Sequence, residues 1–314
     1  MPAPGELPPG EIAPGVVEID TRLGGWEQVT AGYLVTGPAP VLVETGSQSS
    51  VPVLLDALAR IGVGAGDLAT VVVTHIHLDH AGGVGDVAAA FPGATVCVHR
   101  AGARHLADPS RLVASAGRVY GDLLDRLYGR LDPVAEERIR VLEDGDGIDV
   151  GGGRVLTAVD SPGHARHHLA LHDSDTGMLF VGDAVGVRLP DVGVLRPATP
   201  PPDFDLAAAL RSLARFADRS PSALALAHYG VVPGDALDVL DEAAGALRTW
   251  AEVAETAYLA GEDVEGALAG RFGPELATLD HLQQEKIETL NGIHSNAMGL
   301  RRYFALGTGG SSAS

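Results

Sequence analysis

Four side chains able to bind metal, packed into the six residues 75–80, constrain this chain more than any other feature. They follow residues 69–74, a β-branched run without charge, as expected of a strand buried on both faces. His75, His77, Asp79 and His80 cannot all share one strand face, because side chains alternate along a strand. The chain must therefore turn as it leaves the strand, and Ala81-Gly82-Gly83 permits a turn there. Three imidazoles this close repel one another when protonated, and a bound cation removes that repulsion. Imidazole and carboxylate together suit zinc, iron or manganese.

The rest of the chain supplies a frame for that cluster. Short β-branched runs at 16–20, 32–36, 40–44 and 94–99 predict strands, with helices over 50–61 and 82–91 between them. Val51, Leu54, Leu55 and Leu58 share one face of the first helix. Strand-like runs resume at 155–160, 168–172, 178–181 and 223–227. Between the two β-rich stretches, residues 110–137 form an amphipathic helical insertion, which either packs or covers a pocket with Tyr120 and Tyr128. After Tyr229 the pattern turns helical, over 235–260, 262–269 and 274–302. The expected organisation is a flexible arm (1–14), an α/β body with two sheets (15–232), a C-terminal helical element (233–306) and a disordered tail (307–314).

Composition narrows the function classes. Forty-one acidic against 22 basic residues leave a formal charge of −19, which repels phosphate backbones and anionic lipid. Nucleic acid and membrane are thus not expected partners, whereas a small-molecule substrate is. Cys97 is the single cysteine, so thiolate-rich metal sites and intrachain disulfides are excluded. The N-terminal stretch lacks the basic start and apolar core of a signal peptide, and no apolar run is long enough to span a bilayer. A cytoplasmic protein is expected, and the apolar C-terminal helices suggest a homodimer.

The motif Thr74-His-Ile-His-Leu-Asp-His80 resembles the hallmark of the metallo-β-lactamase superfamily, His-x-His-x-Asp-His after a strand. Four further features stand in that family's order. Thr45-Gly46 is similar to its Asp-Thr-Gly turn, with Glu44 in place of the aspartate. Ser161-Pro162-Gly163-His164 resembles its Pro-Gly-His, Gly182-Asp183 its Gly-Asp, and Ala227-His228 its last histidine. The resemblance spans about residues 16–230 and implies an αββα sandwich, here with the helical insertion and the C-terminal helical element. It also implies two divalent ions, zinc first with iron or manganese as alternatives. His75, His77 and His164 would hold one ion, Asp79, His80 and His228 the other, and Asp183 would bridge them. Glu44 would orient a ligating histidine. Asp79 and Tyr229 are the residues expected at the reacting centre, Tyr229 as a donor to a substrate oxygen.

The chemistry implied is hydrolysis, with a metal-bridging hydroxide attacking an ester or thioester carbonyl of a small acyl substrate and lactone opening close behind. True β-lactamases typically lack the first-motif aspartate, and glyoxalase-II-type thioesterases usually follow the last histidine with Glu-Tyr-Thr, where this chain has His228-Tyr229-Gly230. A phosphodiesterase is the alternative from another bond class, and it predicts arginines such as Arg166 and Arg188 converging on the metals. A non-catalytic metal-binding module is the third reading. His167, His168 and His172 are expected to pack or face solvent, with His168 also placed to support a ligand. His99, His105, His281 and His294 are expected to be non-catalytic.

Overall fold

The computed structural model describes residues 10–309, apart from the side chains of 118–120, 308 and 309. Residues 1–9 of the expected arm, 310–314 of the expected tail and the Tyr120 side chain lie outside that description.

Two sheets face each other. The first runs, in spatial order, β1 (Glu11–Ala13), β2 (Val16–Asp20), β3 (Ala31–Val35), β4 (Val41–Val43), β5 (Thr70–Val72), β6 (Thr95–His99) and β7 (Ile139–Leu142). The second is β8 (Gly147–Gly151), β9 (Arg154–Asp160), β10 (Leu169–Asp173), β11 (Met178–Gly182), β12 (Ala223–Leu226) and β13 (Gly230–Val231), its order being the reverse of that in which β13 leads. Parallel pairs occur where a helix makes the crossover, β4–β5–β6–β7 and β11–β12, and the remaining neighbours are antiparallel.

The apolar runs are continuous because both faces of each sheet are covered. Val41, Val43 and Val72 point between the sheets and meet Leu169, Leu171 and Phe180. Leu42, Val71 and Val73 point the other way, under α1 (Val51–Arg60), α2 (Leu78–Ala81) and α3 (Val84–Ala90). On the far face of the second sheet, Val159, Leu179 and Leu224 pack against α7 (Leu206–Ala217), α8 (Ala236–Ala260), α9 (Val264–Phe272) and α11 (Ile293–Gly309). The order helix, sheet, sheet, helix is the expected αββα sandwich.

Several local expectations change. Residues 11–13, assigned to a loose arm, form the edge strand β1, and α11 continues through residues 307–309. The insertion is helical as α5 (Ser110–Tyr120) and α6 (Leu123–Leu127), after α4 (Arg100–Ala107), and it breaks at Gly121, whose φ is +53°. It packs rather than hangs over a pocket: Ala116, Leu127, Tyr128, Leu131 and Val134 are buried in the α1–α3 core. The Leu127 and Tyr128 carbonyls accept from Ser49 Oγ and Ser49 N, at 2.6 and 3.3 Å. The helix expected over 274–302 is split into α10 (His281–Asn291) and α11, because Gly292 is extended (φ −65°, ψ 151°). Among the described residues no helix is long and apolar enough to cross a membrane.

Candidate metal centre

All seven expected ligands sit at strand ends on one edge of the sandwich. β5 leads through Thr74 to His75, and His77 is the N-cap of α2. The anticipated loop is therefore a short helix, and it is this turn that swings Asp79 and His80 back toward His75. Thr45 ties the turn down, its backbone N–H and Oγ1 both donating to the His80 carbonyl, at 3.0 and 2.8 Å. His164 follows β9, where the α7 backbone comes so close that a Cβ on Gly163 would lie 2.3 Å from Ala209 Cα. Asp183 follows β11 at Gly182 (φ +49°), where a Cβ would lie 2.5 Å from Thr74 Oγ1 and 2.6 Å from His168 Nε2. Only glycine fits either place. His228 follows β12.

The side chains converge in two groups that share a carboxylate. His77 Nδ1 lies 2.9 Å from both His75 Nε2 and His164 Nε2. His80 Nε2 lies 3.2 Å from His228 Nε2, and Asp79 Oδ2 lies 3.5 Å from the same His228 nitrogen. Asp183 stands between the groups: Oδ1 is 3.3 Å from His80 Nε2 and 3.4 Å from His228 Nε2, while Oδ2 is 3.5 Å from His164 Nε2. Among the described residues, the triads His75/His77/His164, His75/His80/Asp183 and Asp79/His80/His228 each bring their donor atoms within 4.8 Å of one another.

These donors fit divalent cations. Among the described residues Asp183 Oδ1 is buried with no hydrogen-bond partner, although a carboxylate oxygen in that state is costly unless a cation faces it. The outward ring nitrogens of three histidines are committed, so their tautomers present a lone pair to the shared space. His164 Nδ1 donates to Ala198 O at 3.1 Å, His228 Nδ1 donates to Val29 O at 2.9 Å, and His75 Nδ1 pairs with Thr74 Oγ1 at 3.0 Å. Thr74 in turn donates from Oγ1 to Glu44 Oε1 at 2.5 Å, and that oxygen lies 3.6 Å from His80 Nδ1. Glu44 thus faces His80 directly and reaches His75 through Thr74.

Electrostatics divides the two groups. Burial, then repulsion from neighbouring imidazoles, holds His75 well below its ordinary pKa, and burial with His164 lowers His77 to about 3. These rings are neutral, as ligands must be. Burial also disfavours charge on His80, but Asp183, Asp79 and Glu44 outweigh it and hold His80 well above the usual value. His228 is raised in the same way, chiefly by Asp183 against burial. Burial pushes Asp183 up, yet His80, His228 and His164 keep it well below the carboxylate range. His77 and Asp79 are only partly buried, so the centre opens to solvent beside them.

Tyr229 lies beside Glu18, and burial together with that carboxylate raises its hydroxyl pKa. His168, weighted toward packing or the surface, is fully buried behind the cluster. Its Nε2 accepts from the Asp183 backbone N–H at 3.2 Å and its Nδ1 pairs with Ser161 Oγ at 2.8 Å, joining the ends of β9 and β11. Its place four residues after His164 signalled proximity, but strand alternation alone gave it no partner. Ala198, whose carbonyl holds His164, carried no signal at all. Tyr128 is core, Arg166 pairs with Asp203 at the surface at 3.2 Å, and the exposed His294 pairs with Glu265 at 2.8 Å.

The model of the metallo-beta-lactamase superfamily matches residues 24–228, about two thirds of the chain, and covers every residue of this cluster. The chain belongs to the metallo-β-lactamase superfamily. Metallo-beta-lactamase fold-containing protein ST1585 of Sulfurisphaera tokodaii is 32% identical over 166 residues, 52% of this chain and 60% of its own length. The crystal structure of ST1585 superposes with a TM-score of 0.69, at 24% identity, over 91% of this chain and 98% of that one. The acyl-coenzyme A thioesterase MBLAC2 of Bos taurus is 34% identical over 125 residues, 36% of this chain and 40% of its own length. A hydroxyacylglutathione hydrolase of Gloeobacter violaceus is 30% identical over 132 residues, 42% of this chain and 39% of its own length. The matched region therefore spans 60% or less of each of these curated relatives.

Proposed function

We propose that this superfamily member is a dinuclear metal-dependent hydrolase acting on an ester or thioester bond of a small acyl substrate. The observation that carries the reading is Asp183, a buried carboxylate with one oxygen toward the His80/His228 pair and the other toward His164. His75, His77 and His164 would hold one ion, and Asp79, His80 and His228 the other, with Asp183 common to both. Zinc is the first choice for this nitrogen and oxygen set, and iron or manganese also suit it. When bound, such a pair supplies an acidified water and Lewis acidity toward a carbonyl oxygen.

The chain's own residues prepare that chemistry. Neutral imidazoles on one side and two carboxylates on the other give an asymmetric charge, concentrated beside Asp79 and Asp183. The hydrogen bonds from His164, His228 and His75 to Ala198, Val29 and Thr74 fix ring orientation before any ligand arrives. Substrate enters where Asp79 and His77 meet solvent, and Asp79 is the carboxylate nearest that opening.

Thioesters rank first because two of the similar proteins are named as a coenzyme A thioesterase and a hydroxyacylglutathione hydrolase, and neither name extends by itself to this chain. The acidic surface favours a small molecule over nucleic acid, and a cytoplasmic setting suits a lone buried thiol. The test is metal content per chain on protein purified without added metal, with the same sample assayed on an acyl thioester, a lactone and bis(p-nitrophenyl) phosphate. About two ions per chain and thioester or ester cleavage lost on chelation are expected. Cleavage of the phosphodiester alone would move the protein to that bond class. Metal without any turnover would make it a binding module.

A further inference from the structure

His164 is held from behind by a chain of contacts that begins in the C-terminal helices. The segment 196–199 crosses between the metal centre and α10/α11. On its inner side the Ala198 carbonyl accepts from His164 Nδ1 at 3.1 Å. Because a carbonyl oxygen only accepts, this bond puts the proton on Nδ1 and leaves Nε2 as the lone pair facing His77 and Asp183. Residue 196 pairs with Val187 through two backbone bonds of 2.9 Å, and the next residue, Arg188, donates from its backbone N–H to the His228 carbonyl at 2.6 Å. The segment thus ties together the ends of β9 and β12.

On its outer side the same segment is gripped by asparagines. Asn296 Oδ1 accepts from both Thr199 N and Thr199 Oγ1, at 2.7 and 2.8 Å, and its Nδ2 donates to Asn291 Oδ1 at 2.6 Å. Asn291 Nδ2 donates to the Pro197 carbonyl at 3.2 Å. Both asparagines are buried, and α11 approaches so closely that a Cβ on Gly299 would lie 1.8 Å from Thr199 O. The clamp thus reaches the backbone on either side of Ala198, at the Pro197 carbonyl and the Thr199 N–H.

We propose that Asn296 is a positioning residue, which fixes the Ala198 carbonyl and through it the tautomer and orientation of the His164 ring. The C-terminal helical element then completes the metal centre without contributing a ligand. The inference rests on reading His164 as a ligand of the His75/His77 ion. Substituting a group that orients a ligating histidine weakens metal binding by roughly 10- to 100-fold.

Zinc titrated into metal-stripped full-length protein against a chelating dye separates the two binding steps. Asn296→Ala is expected to raise the dissociation constant of one step by about tenfold or more, leaving the other within roughly twofold. Thr199→Val, which removes only the hydroxyl, should weaken the same step by less, and Thr199→Ser should restore it. In the metal-free protein, long-range proton–nitrogen spectra should place the His164 proton on Nδ1 in the wild type and show mixed tautomers in Asn296→Ala. A folded Asn296→Ala with unchanged affinities and tautomer, or with both steps weakened equally, overturns the positioning role. The metal-free spectra are read whether or not zinc binds, so a wild type that takes up no zinc sinks the hydrolase reading alone. Should Asn296→Ala not fold, Thr199→Val carries the same comparison.

Discussion

Asp183 is the residue whose loss should change the centre most. Among the described residues it is the carboxylate that contacts both histidine groups, so Asp183→Ala removes the shared negative charge and leaves His80 and His228 facing each other at 3.2 Å. That variant should retain well under two ions per chain and lose nearly all turnover. Full metal content by elemental analysis would refute the bridging role. His168 tests the layer behind it. Replacing this fully buried ring with alanine strands the Asp183 N–H and the Ser161 hydroxyl, each previously paired. The cost should be about 1–3 kcal/mol of stability, read from urea unfolding. An unchanged midpoint and unchanged metal content would reduce His168 to filler.

Helices and strands set the distances that single residues cannot. α2 is only one turn long, yet it converts a linear run into a cluster by placing Asp79 and His80 over the end of β5. The second sheet carries its own buried ion pair, Arg154 with Asp173, at 2.9 Å through Nε and 2.5 Å through Nη2. Arg154 also donates to the Pro14 carbonyl at 3.2 Å, joining the first residues of the described chain to β9. Arg154→Ala leaves a buried carboxylate without its cation and should cost about 3–5 kcal/mol. Because the pair lies among β9, β10 and the chain start, the loss should appear in thermal unfolding with metal content per folded chain preserved. A parallel loss of metal would show that β9 transmits the disturbance to His164.

At the scale of the whole molecule, metal and protons compete for the same fold. An unfolded histidine titrates near 6.5, whereas folded His77 does so at about 3 and His167 at about 2, in both cases chiefly through burial. Between these limits the unfolded chain binds more protons, so their contribution is complete above 6.5 and is lost as pH falls toward 3. His75, His164 and His168 are shifted the same way, and the lowered Asp79 and Asp183 also lose stability toward acid. His80 and His228, both raised, act in the opposite sense: their contribution is complete below 6.5 and is lost as pH rises through their folded values. Below about pH 6.5 the contribution of the raised pair no longer changes, so the lowered histidines set the trend. Metal-free protein should lose on the order of a few kcal/mol between about pH 7 and pH 4. Zinc at neutral pH should raise the unfolding midpoint by binding only the folded state. Chemical denaturation of chelated protein across that range checks both, and equal stability at the two ends would contradict the assignment.

The amino-acid sequence by itself determined the cluster of His75, His77, Asp79 and His80 and the alternation of apolar runs that demands two covered sheets, and its resemblance to the superfamily's ordered motifs added His164, Asp183 and His228. These are local properties, because periodicity, glycine at strand ends and ligand spacing are written in short stretches of chain. It left open or misplaced what depends on distant partners. Residues 11–13 become a strand only because β2 offers an edge, and of its two readings the insertion takes the packed one because α1–α3 leave a face for Leu127 and Tyr128. The clamp from Asn296 to His164 was invisible for the same reason. Its link from Thr199 to Asn296 spans 97 residues, and an asparagine in a helix carries no local mark of the carbonyl it fixes. Tertiary packing alone decides such contacts, since each buried polar group must find its partner wherever the fold brings one.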